Sequence, residues 1–184
     1  SMVTVGGGIG KDIDGTPPDL QQWGAEPLQK EVELWNPSTG AWTLGPAQQE
    51  YRTYHSTALL LPDGRVVSAG DDYNGGFTQD TAEIYEPPYL FRGPRPVISD
   101  GPKVGVLGQA LDIATPNPSA VDHAALIAPG ATTHANDMNQ RYFALDTTAG
   151  SGEVSMTLPD EDSVPPGWYM LFLLNNSGVP SEAK

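Results

Sequence analysis

Three imidazoles and one phenol beside them are the side chains of this 184-residue sequence best suited to chemistry near neutral pH. His55, His123 and His134 are the only histidines, and there is no cysteine. Thiol nucleophiles, thiolate metal sites and disulfides are therefore excluded within the chain. Tyr54 directly precedes His55, and imidazole with phenolate is a reasonable ligand pair for copper. Both sit at the start of a predicted strand, TYHSTALLL at 53–61. Adjacent residues of a regular strand point to opposite faces, so both reach one ion only if the backbone bends or the ion takes them at different coordination positions. The alternative for this pair is a buried phenol and a hydrogen-bonded imidazole with no metal. His134 lies in the polar stretch ATTHANDMNQR (131–141), between two strand candidates, which predicts a loop tip. His123, inside VDHAALI, reads as a structural strand residue. Ser56 follows His55 without a glycine elbow, and GGGIG at 6–10 precedes no helical pattern, so neither a serine hydrolase nor a phosphate loop is indicated.

The elements that must position these residues are short strands. With 21 glycines and 18 prolines the chain is dense in turns, and no apolar stripe persists at helical spacing. Strands are expected at MVTV (2–5), EVELW (31–35) and AWTL (41–44), the last two joined by the turn NPSTG. They are expected again at 53–61, at RVVSAG (65–70) after the turn PDG (62–64), and at TAEIYEP (81–87). A strand, a glycine cluster, a loop and then Glu-apolar-aromatic-x-Pro occurs twice, anchored on Glu33 and Glu83. A repeat of about 50 residues with this composition predicts kelch-type propeller blades. Two blades cannot bury their faces alone, so partner blades are expected elsewhere. Residues 9–29, with Pro17, Pro18, Gly24 and Pro27, read as one long surface loop.

Composition shifts at GPRPVISDGP (93–102), which reads as a junction. Beyond it, strand candidates recur at roughly ten-residue spacing: KVGVLG, ALDIATP, HAALIAP, RYFALD, EVSMTLP and GWYMLFLLNN, with one more strand expected at SGVPSEAK. The fold expected is all-β: about two blades of an incomplete kelch-type β-propeller over 1–92, then an immunoglobulin-like early-set β-sandwich over 93–184. The net charge of −14 speaks against a nucleic-acid partner and an anionic membrane surface. No apolar run is long enough for a membrane-spanning helix.

RTYHSTALLLPDGRVVSAGDD (52–72) followed by AEIYEPPYLFRGPRP (82–96) resembles the last propeller blade of the galactose oxidase and glyoxal oxidase family. GATTHANDMNQRYFAL (130–145) and PPGWYMLFLLNNSGVPS (165–181) resemble its C-terminal early-set domain. The resemblance implies one copper ion held by Tyr54 as axial ligand and by His55 and His134 as equatorial ligands, and leaves His123 outside the site. It implies a two-electron oxidation of a small primary alcohol, aldehyde or carbohydrate by dioxygen, yielding hydrogen peroxide, with Tyr54 accepting the substrate's hydroxyl proton. The family's radical tyrosine, cross-linked to a cysteine, has no counterpart here; this chain is expected to be inactive alone and to depend on further blades of the same protein. Secretion is likewise an implication of the resemblance. Trp23, in the 9–29 loop, falls where the family borders its substrate mouth. The competing expectation is a non-catalytic kelch and immunoglobulin-like module that binds carbohydrate or protein.

Overall fold

In the computed structural model the described residues are 2–4, 30–50, 52, 55–70, 72–73, 77–78, 80–133, 136–160 and 164–184. They contain sixteen strands and two single-turn 3-10 segments, an all-β chain as expected. The chain divides into two compact units: residues 1–59, 67–84 and 132–136 form one, and residues 60–66, 85–131 and 137–184 the other.

Strands β1 (Met2–Thr4), β2 (Glu31–Trp35) and β3 (Trp42–Ala47) make an antiparallel sheet in the order β1-β2-β3. The NPSTG turn is set by Asn36, whose carbonyl accepts from the Gly40 amide at 2.8 Å, and Gly40 takes the positive φ of 69° that closes it. Trp35 stands opposite Trp42, with ring centroids 6.3 Å apart. A second sheet is β4 (Thr57–Leu60), β5 (Val66–Ala69) and β8 (Ala82–Tyr85), in the order β4-β5-β8. Between its last two members lie β6 (Asp72–Tyr73) and β7 (Phe77–Thr78), which pair with each other.

The β4–β5 turn is the expected PDG. Gly64 has a φ of 82°, and the Asp63 carboxylate accepts from the Arg65 amide at 3.0 Å and from its Nε at 2.7 Å. The hydrogen bond from the Arg65 side chain, more than offsetting partial desolvation, holds the Asp63 carboxyl below its usual range. The Tyr89 hydroxyl, on a 3-10 turn at Pro88–Phe91, donates to the Gly64 carbonyl. Burial pushes the Tyr89 phenol up to about 12. The unfolded phenol ionises near 10, so between those values the folded state holds the proton more tightly than the unfolded one. That contribution is complete below about pH 10 and lost as pH rises towards 12. Denaturant midpoints measured across this window are expected to fall for the wild type and to fall less for Tyr89→Phe; parallel curves would exclude the linkage.

The second unit contains a β-sandwich. One sheet is β9 (Ala110–Ala114) with β15 (Glu153–Thr157) and β14 (Thr148–Ala149), in the order β14-β15-β9. The other is β10 (Val121–Ile127) between β13 (Tyr142–Asp146) and β16 (Met170–Asn175). Alternation sends Leu111 and Ile113, Val154 and Met156, Ala124 and Leu126, and Leu171 and Leu173 into one buried cluster with Leu145 and Leu158. Antiparallel register pairs Ala125 with Ala144 and with Phe172, and Val154 with Ile113. β16 reads MLFLLN without alternation because Leu171, Phe172 and Leu173 are buried on both faces of the sheet.

Three expectations are corrected here. KVGVLG (103–108) is not a strand: the bridge to β9 is made by Asp100 opposite Ala114, and Val104 and Val106 are exposed. Gly105 instead lies so close to the core that a Cβ there would meet the Leu158 Cδ1 at 2.4 Å. The predicted strand at 53–61 begins only at Thr57, and His55 lies in a turn ahead of it. The strand expected at SGVPSEAK (177–184) does not form: the tail makes one isolated bridge, Pro180 opposite Leu174, and reciprocal Leu171–Lys184 backbone bonds at 2.9 and 3.0 Å. Arg95, in the GPRP stretch, braces that tail by donating to the carbonyls of Pro180 and Ser181. The 9–29 loop, with Trp23, lies outside the described residues.

Candidate functional site

His55 is the one non-glycine among the described residues with a positive φ, at 63°. The left-handed region is costly for a residue with a Cβ and is tolerated where the surroundings impose it. It removes the geometric objection to neighbouring ligands, since a residue outside the regular pleat is not bound to the strand's alternation. Two features stand near this turn. Gly70, at the end of β5 with a φ of 80°, lies so close that an added Cβ would stand 3.2 Å from the His55 carbonyl oxygen and 3.5 Å from the Ser56 Cα. The second is Arg52, three residues before His55 and almost completely buried.

The Arg52 guanidinium forks across three acceptors. Nη1 donates to the Gly70 carbonyl at 2.9 Å, and Nη2 donates to the Thr81 hydroxyl at 2.9 Å and to the Glu83 carboxylate at 3.3 Å. Glu83, the acidic anchor of the second repeat copy, also accepts the backbone amides of Gln49 at 2.7 Å and Glu50 at 3.1 Å. Its carboxyl is held below the ordinary range: burial pushes it up, but the two amides and Arg52 together outweigh that. Behind this network the Ser68 hydroxyl donates to Gln48 at 2.7 Å.

The segment around position 134 is a small hairpin. β11 (Thr132–Thr133) pairs with β12 (Asn136–Asp137). Tyr54 and His134 themselves lie outside the described residues; of the three expected ligands only His55 is placed. The hairpin's base is braced by the polar residues of NDMNQR. One Asp137 oxygen accepts the amides of Ala131 at 2.8 Å and Asn139 at 2.9 Å. Asn139 donates to the Pro129 carbonyl at 2.8 Å, and Arg141 donates to the Asn139 side-chain oxygen. Residues 132–136 group with residues 1–59 and 67–84. Within that unit the Thr132 hydroxyl donates to the carbonyl of Ala58, three residues after His55, at 3.3 Å. His123 lies inside a strand, β10, as expected, with its Nδ1 2.8 Å from the Asp122 carboxylate. Among the described residues no three His, Asp or Glu side chains gather as a metal cluster.

Arg52, Gly70 and Glu83, which are linked to one another beside the His55 turn, were not singled out as candidate site residues by sequence reasoning. Their signals were present: an arginine heading the Tyr-His motif in an acidic chain, a glycine closing the return strand, and the repeated glutamate.

The sequence profile of the "Galactose oxidase-like, Early set domain" matches residues 95–184. Residues 95–184 are a galactose oxidase-like early set domain. The chain is 37% identical over 142 residues to a galactose oxidase of Gibberella zeae, covering 72% of this chain and 21% of that protein. An aldehyde oxidase GLOX of Vitis pseudoreticulata is 34% identical over 161 residues, with 72% of this chain and 29% of that protein covered. A solved fungal alcohol oxidase in complex with copper superposes with a TM-score of 0.77 at 32% identity, over 85% of this chain and 35% of its own. The chain thus spans less than a third of the curated relatives it matches here.

Proposed function

We propose that this chain is the C-terminal part of a copper-radical oxidase that converts primary alcohols or aldehydes with dioxygen and releases hydrogen peroxide. In this reading residues 1–92 are the last blades of a kelch propeller, residues 93–184 are the early-set sandwich, and the intact protein is secreted. Tyr54, His55 and His134 would hold copper, which supplies Lewis acidity and one oxidising equivalent when bound. The donor set fits: one phenol and two imidazoles, with no competing thiolate. The observation that carries the reading is that the strands flanking position 134 group with the unit that holds His55, tied to β4 through Thr132 and Ala58. An ion-binding site drawn from residues this far apart in sequence requires such grouping.

Each side chain has a defined task. His55 would present its imidazole from a left-handed turn at the head of β4. His134 would supply the second imidazole. Tyr54 accepts the proton of the substrate's hydroxyl as the substrate is oxidised. The cysteine-linked radical tyrosine belongs to parts of the protein outside this sequence.

The test is copper titration of the intact protein with peroxide detection against primary alcohols and aldehydes. One copper per molecule and peroxide release are expected; a folded protein that takes up no copper would sink the oxidase and favour the binding-module reading. Tyr54→Phe is expected to keep copper and to lower kcat by about 10²–10⁴-fold, the usual worth of a general base. Loss of copper together with unfolding would show Tyr54 to be structural.

A further inference from the structure

We propose that Arg52 is a positioning residue for the copper ligands, acting through the backbone of the turn that carries His55; the proposal rests on the oxidase reading above. Arg52 belongs to the chain immediately before the Tyr54–His55 pair and is 1% exposed. A buried guanidinium must have its donors satisfied, and it is rarely kept where an apolar side chain would serve. Nη1 donates to the Gly70 carbonyl and Nη2 to the Thr81 hydroxyl and the Glu83 carboxylate, so the fork joins the end of β5 to the start of β8, while the buried Nε has no hydrogen-bond partner. Gly70 is the residue whose missing side chain lets the His55 carbonyl approach. The fork therefore fixes the distance between the entry to the turn and the strand end on which the turn rests. Glu83 extends the clamp by accepting the amides of Gln49 and Glu50, so the backbone just ahead of Arg52 is held as well.

The geometry needs arginine rather than a generic cation. Lysine offers a point charge from one atom and cannot span a carbonyl, a hydroxyl and a carboxylate with a planar fork. The consequence lies in preorganisation. If the clamp slackens, His55 can relax out of its left-handed conformation and its imbalance is passed to the metal as a distorted or weaker site.

The experiment uses the intact, copper-loaded protein and the variants Arg52→Lys, Arg52→Ala and Gly70→Ala. Gly70→Ala leaves the arginine in place and instead presses on the His55 carbonyl, so it tests the same turn independently and covers the case in which Arg52→Ala fails to fold. Expected in Arg52→Lys and Gly70→Ala is a copper(II) affinity about 10–100-fold weaker, as is usual when support of a metal ligand is lost. The copper(II) electron paramagnetic resonance spectrum should change its hyperfine splitting, and kcat should fall with KM nearly unchanged. Early-set melting should stay at the wild-type temperature. Wild-type affinity and spectrum in both variants would overturn the role of Arg52 while leaving the oxidase reading intact. An unaltered protein that binds no copper would overturn both.

Discussion

Replacing His134 by Ala in the intact protein is expected to reduce peroxide production to the level of the blank and to abolish stoichiometric copper binding, while the early-set sandwich stays folded. The separation of the two effects follows from where the hairpin stands. The buried cluster of the sandwich is drawn from β9, β10, β13, β15 and β16 and Leu158, with nothing from residues 131–140. The hairpin's residues on either side of 134 are exposed or half-buried, and its shape is held from below by Asp137 and Asn139 rather than by packing. On the proposed reading the substitution deletes a metal donor, while the sandwich's buried cluster keeps every member it has among the described residues. Losing one nitrogen from a sparse donor set leaves a site that no longer competes with buffer for copper. His55→Ala is expected to give the same loss. Copper content by metal analysis, peroxide assay and far-ultraviolet dichroism together decide the matter: a copper-loaded, active His134→Ala protein removes His134 from the site.

The second large effect is on stability. Leu173 is fully buried in β16 at the centre of the sandwich, among Leu111, Ile113, Ala124, Val154 and Leu171. Leu173→Ala deletes buried methyl groups whose space the two facing sheets cannot both collapse into, and should destabilise the domain by about 2–5 kcal/mol. For a domain of this size each kcal/mol lowers Tm by about 4–8 °C, so a fall of more than about 8 °C is expected. Trp168, the most exposed large apolar side chain among the described residues, provides the control; Trp168→Ala should stay within about 0.5 kcal/mol of wild type. If Leu173→Ala melted with the wild type, the sheets would not be pressing on each other at that layer.

These effects differ in how far they could be anticipated. The Leu173 core position was legible because GWYMLFLLNN is an apolar run bounded by turn residues, and it forms β16 as read. The PDG and NPSTG turns were equally plain, since Asp, Asn and Gly close turns by local bonds that their own side chains or a positive φ provide. KVGVLG misled because period-2 alternation is necessary for a half-buried strand and does not guarantee a partner; Asp100 made the bridge instead. His55 was visible by residue type, yet it lies in a left-handed turn ahead of β4 rather than on a straight strand.

By itself the sequence determined the all-β class, the turns, the strand-rich second half, the acidic charge and the exclusion of thiol chemistry. Each of these depends on residue type or on neighbours a few positions apart. Only the tertiary structure decided that Arg52 is clamped by residues 18 to 31 positions away, that Gly70 presses on the His55 backbone, and that the hairpin flanking position 134 groups with the unit of His55 rather than with the sandwich that follows it. The physical reason is that such contacts are fixed by the register between strands. Register is set by the burial of whole faces at once and leaves no mark on the spacing of the residues it brings together.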